Sequence, residues 1–210
     1  NLADHVGDDP RVVAANRRYV RERLALPGEP IWLRQVHGRG VVFAEDAVAG
    51  AEGDAAVCRS AGHVCVVMTA DCLPILLCDR AGTCVAAAHA GWRGLADGVI
   101  EATVAALGVP ANSVIAWLGP AIGPQAFEVG DDVRAAFMAQ AAIAADAFRR
   151  HGDRWHADLY RLAHQRLAAL GVTQIHGGGL CTYSDSARFY SYRRDGVTGR
   201  MATLIWMDLP

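Results

Sequence analysis

Two hydrophobic periods alternate along the chain. Behind Asp9-Pro10, where an aspartate can cap a helix and a proline can occupy its first turn, apolar positions from Val12 to Leu26 follow a helical spacing that stops at Pro27-Gly28. Two short runs, IWLRQV (31–36) and VVFAE (41–45), read as strands either side of the turn-like His37-Gly38-Arg39-Gly40. Between 64 and 88 three apolar runs, CVVMTA, PILLCD and CVAAA, are broken by Asp71-Cys72-Leu73-Pro74 and by Asp79-Arg80-Ala81-Gly82. Such continuous apolarity suits strands buried on both faces, at the centre of one sheet, with the second break as a hairpin loop. Residues 92–107 return to a helical period through Leu95, Val99, Ile100, Val104 and Leu107, and stop at Gly108 and Pro110.

A strand at 114–119 leads into PAIGPQAFEVG, whose prolines and glycines predict an ordered loop. Helices are expected at 131–147 and 157–170, and last strands in TQIHGGG (173–179), RFYSYRR (188–194) and MATLIWM (201–207). No internal repeat or composition break divides the succession, which predicts a single domain over 1–210 of α/β (α+β) class.

Composition narrows what such a domain can do. With 52% apolar residues in 210 it can bury a large core, while a formal net charge of −2 leaves no basic field for nucleic-acid phosphates. No nucleic acid is expected as a partner. No apolar stretch reaches the roughly eighteen residues of a membrane span, and NLADHVGDDP lacks the basic start and apolar middle of a signal peptide. The expectation is a cytoplasmic protein with no membrane partner. Cys58, Cys65, Cys72, Cys78, Cys84 and Cys181 sit mostly in apolar, strand-like segments, which predicts free buried thiols; without any CxxC, a zinc ribbon or thioredoxin-type site is not expected.

The chemistry concentrates at strand ends. His37, Cys72 and His89 each close a predicted strand beside Gly or Pro, and His and Cys in a set of three would leave a fourth position open, as catalytic zinc requires. Their separations follow no local ligand motif, so spacing alone favours two satisfied strand-end histidines and one buried thiol. Cys72 with His89 also fits a thiolate nucleophile and its base. Asp54 and Asp71 are candidates for orienting a metal-bound histidine or a water, or for capping turns. In Gly-Trp-Arg-Gly, Arg93 in a helix first turn would suit phosphate, or be simply solvated. His5, His63, His151, His156, His164 and His176 have no matched partner in sequence. GxxxxGK[ST], GxSxG and HExxH are absent, and GGG at 177–179 lacks the context of GxGxxG.

RQVHG, GDAAV, MTADCLP, AAAHAGWRG, WLGPAIGP with FEVGDDV, and CTYSDSARFYSYRRDGVTGRMA together resemble the YfiH-type laccase-like family of multicopper polyphenol oxidases, over essentially the whole chain. Members of that family are now described as purine nucleoside phosphorylases, and some as peptidoglycan editing factors. The resemblance reverses the preference drawn from spacing. It implies that His37, Cys72 and His89 form the metal-binding and catalytic cluster, with zinc as cofactor and copper as the alternative, and a layered α/β/β/α fold with mixed sheets. It further implies phosphorolysis of adenosine, inosine, guanosine and methylthioadenosine with phosphate as co-substrate, together with adenosine deaminase activity. Copper-dependent phenol oxidation and a peptidoglycan-precursor hydrolase using Cys72 are the alternatives, and a monomer or small homo-oligomer is expected. Family members carry a segment ahead of the opening Asn-Leu, with Ser-Thr-Arg and Gly-Gly-Val-Ser elements, and we expect this chain to lack it. Cysteines that some relatives have after Gly-Pro-x-Ile-Gly are replaced by Pro124-Gln125-Ala126, which should weaken any copper chemistry dependent on them.

Overall fold

Helix α1 (Pro10–Arg23) begins where the Asp9 carboxylate accepts a hydrogen bond from the Arg11 N–H, with Pro10 in the first turn, where no intrahelical donor is needed. The computed structural model describes residues 1–208. After α1 come β1 (Pro30–Ile31), β2 (Val41–Phe43), β3 (Ala55–Cys58), β4 (Val64–Thr69), β5 (Leu73–Asp79) and β6 (Val85–Ala90). Helices α2 (Trp92–Asp97) and α3 (Val99–Leu107) lead to β7 (Val114–Leu118), β8 (Glu128–Val129) and α4 (Asp131–Met138). The hairpin β9 (Phe148–His151) and β10 (Arg154–Ala157), helix α5 (Leu159–Ala169), β11 (Gln174–Gly177), the one-turn α6 (Tyr192–Asp195) and β12 (Met201–Trp206) complete the order.

The strands form a six-stranded mixed sheet ordered β11-β7-β5-β6-β3-β2 and two three-stranded sheets, β1-β4-β12 and β8-β10-β9. Alternation along each strand of the large sheet sorts its side chains between two layers. Ala55 and Val57, Leu73, Ile75 and Leu77, and Ala86, Ala88 and Ala90 point to the helix side and share a core with Leu95, Ile100, Leu107, Leu162 and Leu167 of α2, α3 and α5. Burying a leucine or isoleucine there contributes about 1.5–3 kcal/mol, which makes this layer the main source of stability. Ala56, Cys58, Val85 and Ala87 point the other way and meet Cys65 and Val67 of β4, small residues that let the two sheets stack closely. On the outer face of β4, Val64, Val66 and Met68 are also buried, as are Ala3, Val13 and Leu26 in and around α1. The layers are thus helix, small sheet, large sheet, helices, in an α+β arrangement.

Several elements depart from the sequence expectation. The three apolar runs do not share a sheet: β4 pairs with β1 and β12, whereas β5 and β6 are central in the large sheet. The 31–36 run is a strand only at its start, Pro30–Ile31; beyond it, Arg34 makes a single bridge to Glu52 and the Gln35 amide substitutes for backbone, donating to the Met68 carbonyl at 2.8 Å and accepting from the Met68 N–H at 2.7 Å. The 92–107 helix breaks at Gly98, whose φ of 100° is left-handed. The 131–147 helix ends at Met138 and resumes as a 3-10 turn, Ala142–Ala147. RFYSYRR is not a strand but a loop ending in α6, because it finds no partner strand. Strands β3, β8, β9 and β10 were not anticipated.

Candidate functional site

Strand periodicity also places the site. His89 has the parity of Val85 and Ala87, Asp54 that of Ala56, and Cys72 that of Leu76 and Cys78, so all three lie on the face of the large sheet turned to the small one. They stand at one end of the neighbouring strands β3, β6 and β5. His37 arrives from the turn after Gln35 with φ of 60°, and Asp71, next to Cys72, has φ of 93°. Non-glycine residues rarely adopt such conformations, and here they flank or form the cluster.

The ligand atoms of His37, Cys72 and His89 lie within 4.8 Å of one another. Asp54, with no exposed surface, accepts from the His89 Nδ1–H at 2.8 Å and from the backbone N–H groups of His37 at 2.9 Å, Gly38 at 2.7 Å and Val36 at 3.3 Å. One buried carboxylate therefore fixes the His89 ring, leaving Nε2 for the cluster, and holds the His37 turn against it. Burial would raise the Asp54 pKa, but the His89 hydrogen bond, its charge and the backbone donors outweigh burial and hold it down. Burial would likewise raise the Cys72 thiol, yet the neighbouring His89 charge and hydrogen bonds to His37 and His89 lower it. For His89 burial favours the neutral ring, and Cys72 and Asp54 together reverse this and raise it. The pair consequently favours a thiolate, the form in which cysteine binds metal or attacks carbon.

Gly91 and Gly94 allow these parts to meet. A Cβ on Gly91 would sit 2.9 Å from Cys72 Sγ and 3.1 Å from His37 Cδ2, and one on Gly94 would lie 2.5 Å from the Gly38 carbonyl oxygen. The glycines of Gly-Trp-Arg-Gly thus serve close approach to the cluster. Arg93 is exposed, stacks over Trp92 at 4.5 Å and is not among the side chains lining the cavity above the cluster. That cavity, about 390 Å³, is lined by the three cluster residues with His5, Gln35, Met68, Thr69, Ala70, Tyr192 and Arg200. Arg200, which no sequence signal singled out, is the guanidinium that faces it. Its Nη1 donates to the carbonyls of Thr198 at 2.9 Å and Gly199 at 3.1 Å, and no ion pair engages it among the described residues. Asp71 does not reach the ring of either histidine; it accepts from Thr182 Oγ1 and the Arg193 N–H, both at 2.6 Å, tying the C-terminal loop to the site.

The donor set suits a metal: two imidazoles, one oriented from behind by a carboxylate, and a cysteine biased toward its thiolate. Residues 1–208 match the family described as multi-copper polyphenol oxidoreductase laccase. The chain belongs to this family. Among the relatives of this laccase-like chain, a protein of Pseudomonas aeruginosa named purine nucleoside phosphorylase is 58% identical over 210 residues, covering 99% of this chain and 86% of the relative. The purine nucleoside phosphorylase YfiH of Escherichia coli is 54% identical over 208 residues, with the same coverage of each. A crystal structure of a Neisseria meningitidis protein superposes with a TM-score of 0.95 at 51% identity, over 99% of this chain and 86% of that one. The YfiH structure from Bacillus licheniformis does so with 0.92 at 26% identity, over 99% and 85%. All six cysteines are free, but only Cys58, Cys65 and Cys84 are buried as expected; Cys72, Cys78 and Cys181 are half-buried. Among the described residues no helix is long and apolar enough to cross a membrane.

Proposed function

We propose that the chain is a purine nucleoside phosphorylase working at the His37, Cys72 and His89 cluster, with zinc as its metal. The observation that carries this reading is that one cavity presents the cluster, an aromatic face at Tyr192 and a guanidinium, Arg200, whose side chain bonds only to the Thr198 and Gly199 carbonyls among the described residues. Its volume lies within the range of small-molecule sites. The relatives' names supply the substrate class.

In phosphorolysis a phosphate oxygen bonds to the ribose anomeric carbon as the bond from that carbon to the purine nitrogen breaks; the electron pair leaves with the purine, which takes up a proton. Arg200 is suited to the phosphate, because its two carbonyl contacts use Nη1 and leave the Nε and Nη2 edge for paired hydrogen bonds to oxygen. We assign it that role in place of Arg93. Tyr192, 61% exposed, offers a ring on which a purine can stack. Asp54 holds His89 and the His37 turn still, so orientation is settled before substrate arrives. When bound to the three side chains, zinc would supply Lewis-acid charge and acidify a bound water, which also accommodates the adenosine deaminase branch of this reading.

The test is to incubate metal-quantified protein with adenosine, with and without phosphate, and to separate adenine, inosine and hypoxanthine. Adenine formed only with phosphate, abolished in His89→Ala and shifted to a higher phosphate KM in Arg200→Gln, is the expected result. Inosine formed without phosphate reports deamination. Absence of both products from zinc-loaded protein would overturn the reading.

Copper-dependent phenol oxidation is the second reading, favoured by the family's description and by the His₂Cys donor set, which copper also accepts. Dioxygen consumption with stoichiometric copper would support it.

A further inference from the structure

The small sheet β8-β10-β9 carries a second constellation. His156, on the central strand β10, lies directly opposite Glu128 of β8, and His151 of β9 sits diagonally across the other neighbour, where it faces Arg154. All three side chains share one face of the sheet, while Trp155 occupies the opposite face. The ligand atoms of Glu128, His151 and His156 lie within 4.8 Å of one another. The two imidazoles are 4.1 Å apart and nearly parallel, at 15°, and neither ring makes a hydrogen bond among the described residues.

We propose that Glu128, His151 and His156 form a second metal site, selective for a borderline divalent ion such as Zn²⁺. The chemistry is two imidazoles and one carboxylate, a set that satisfies zinc and leaves an open position. The scaffold is rigid where it matters, since Glu128 and His156 are fixed by strand register. Ligands around tetrahedral zinc stand about 3.3 Å apart, given metal–ligand distances near 2.0 Å, so the set must close by about 1.5 Å at most. Rotation of the exposed His151 side chain on the hairpin supplies that movement. Arg154 pairs with Glu128 Oε1 at 3.0 Å, which orients the carboxylate and leaves Oε2 for the ion. The arrangement escapes a search for sequential motifs because its ligands come from three strands and one lies far from the others in the chain.

The site is independent of the cavity described above, and its test counts ions. Zn²⁺ is titrated into the full chain against a chelating indicator, beside His156→Ala, Glu128→Gln and, as a reference for the other site, His37→Ala. The expected result is one equivalent fewer at low-micromolar free Zn²⁺ in His156→Ala and in Glu128→Gln than in wild type, with purine turnover retained. The zinc-induced rise in Tm should shrink in both variants. His156 is only half-buried, and Glu128→Gln keeps side-chain shape, so at least one variant reports on a folded protein. Equal stoichiometry in wild type and both variants would overturn the proposal, as would a lost equivalent seen only at millimolar Zn²⁺. Loss of an equivalent in His37→Ala alone would leave the cavity site standing and remove this one.

Discussion

Asp54 joins four donors at a position with no exposed surface, and this concentration of duties makes it the most sensitive residue behind the cluster. In Asp54→Asn the amide nitrogen must face at least one of the N–H groups of Val36, His37 and Gly38 or the His89 Nδ1–H. Zinc affinity should fall about 10–100-fold, with turnover falling alongside, as measured by competition with a chelating dye and by initial rates. Gly91→Ala tests the cluster from the other side. A methyl 2.9 Å from Cys72 Sγ and 3.1 Å from His37 must displace one of them, so metal binding should be lost while circular dichroism stays that of the wild type. Wild-type zinc affinity in Gly91→Ala would show that the cluster has slack. Asp54 was visible in sequence as a candidate for orienting a metal-bound histidine or a water, or for capping a turn, and its parity with Ala56 explains how it reaches His89. Arg200 was not visible, since Gly-Arg-Met carries no local signal and the C-terminal loop brings it to the cavity.

At the scale of elements, the β5–β6 hairpin shows how a turn signal becomes stability. Asp79 accepts from the N–H groups of Thr83 at 2.7 Å and Cys84 at 3.0 Å and from the Thr83 hydroxyl at 2.9 Å. Burial would raise its pKa, but these donors prevail and lower it. A depressed folded pKa means stability that is fully present above the unfolded value, about 3.9, and is lost as pH falls through the folded value. Asp79→Asn should therefore cost about 1 kcal/mol at pH 7, roughly 2–4 °C in Tm, and the gap to wild type should narrow below about pH 4. A gap independent of pH would show that the charge is immaterial. This hairpin was legible because strong apolar runs bracket Asp-Arg-Ala-Gly. The β9–β10 hairpin was not: Arg149, Arg150, His151, Arg154 and His156 give it no apolar alternation, and only Gly152-Asp153 marks its turn. The helical period from Leu95 to Leu107 likewise runs unbroken across Gly98, so the break between α2 and α3 is a backbone event that side-chain spacing does not record. In RFYSYRR aromatic content suggested a strand, but strand propensity acts only through a partner, and none is there.

At the scale of the molecule, the site exists because three distant parts of the chain meet where the two sheets open. The turn after Gln35 brings His37, the ends of β5 and β6 bring Cys72 and His89, and the C-terminal loop brings Tyr192 and Arg200. Asp71 connects the second part to the third. Its carboxylate holds Thr182 and the Arg193 N–H, while its carbonyl accepts from Ile122 N at 2.9 Å. Arg194 secures the same loop internally, donating to the carbonyls of Thr182 and Tyr183 at 2.9 Å and of Phe189 at 3.0 Å. The loop is thus a preformed unit, tied to the site by the Asp71 carboxylate and to the neighbouring chain by Thr182 N–H on the Ala121 carbonyl and Arg193 Nη1 on the Glu128 carbonyl, both at 3.0 Å. Asp71→Asn keeps a residue type that tolerates positive φ, so the backbone at Cys72 should hold, but it removes the carboxylate charge that strengthens the bonds from Thr182 Oγ1 and the Arg193 N–H. The clamp should loosen without dissolving the loop. Hydrogen exchange should then rise in residues 182–194 while β5 and β6 keep their protection. On the proposed reaction, the nucleoside KM should rise more than kcat falls, because Tyr192, which lies in the loosened segment and lines the cavity, is displaced while the cluster is not. Equal losses of kcat and of zinc affinity would instead show that Asp71 acts on Cys72 itself, and that the loop and the cluster are one rigid body.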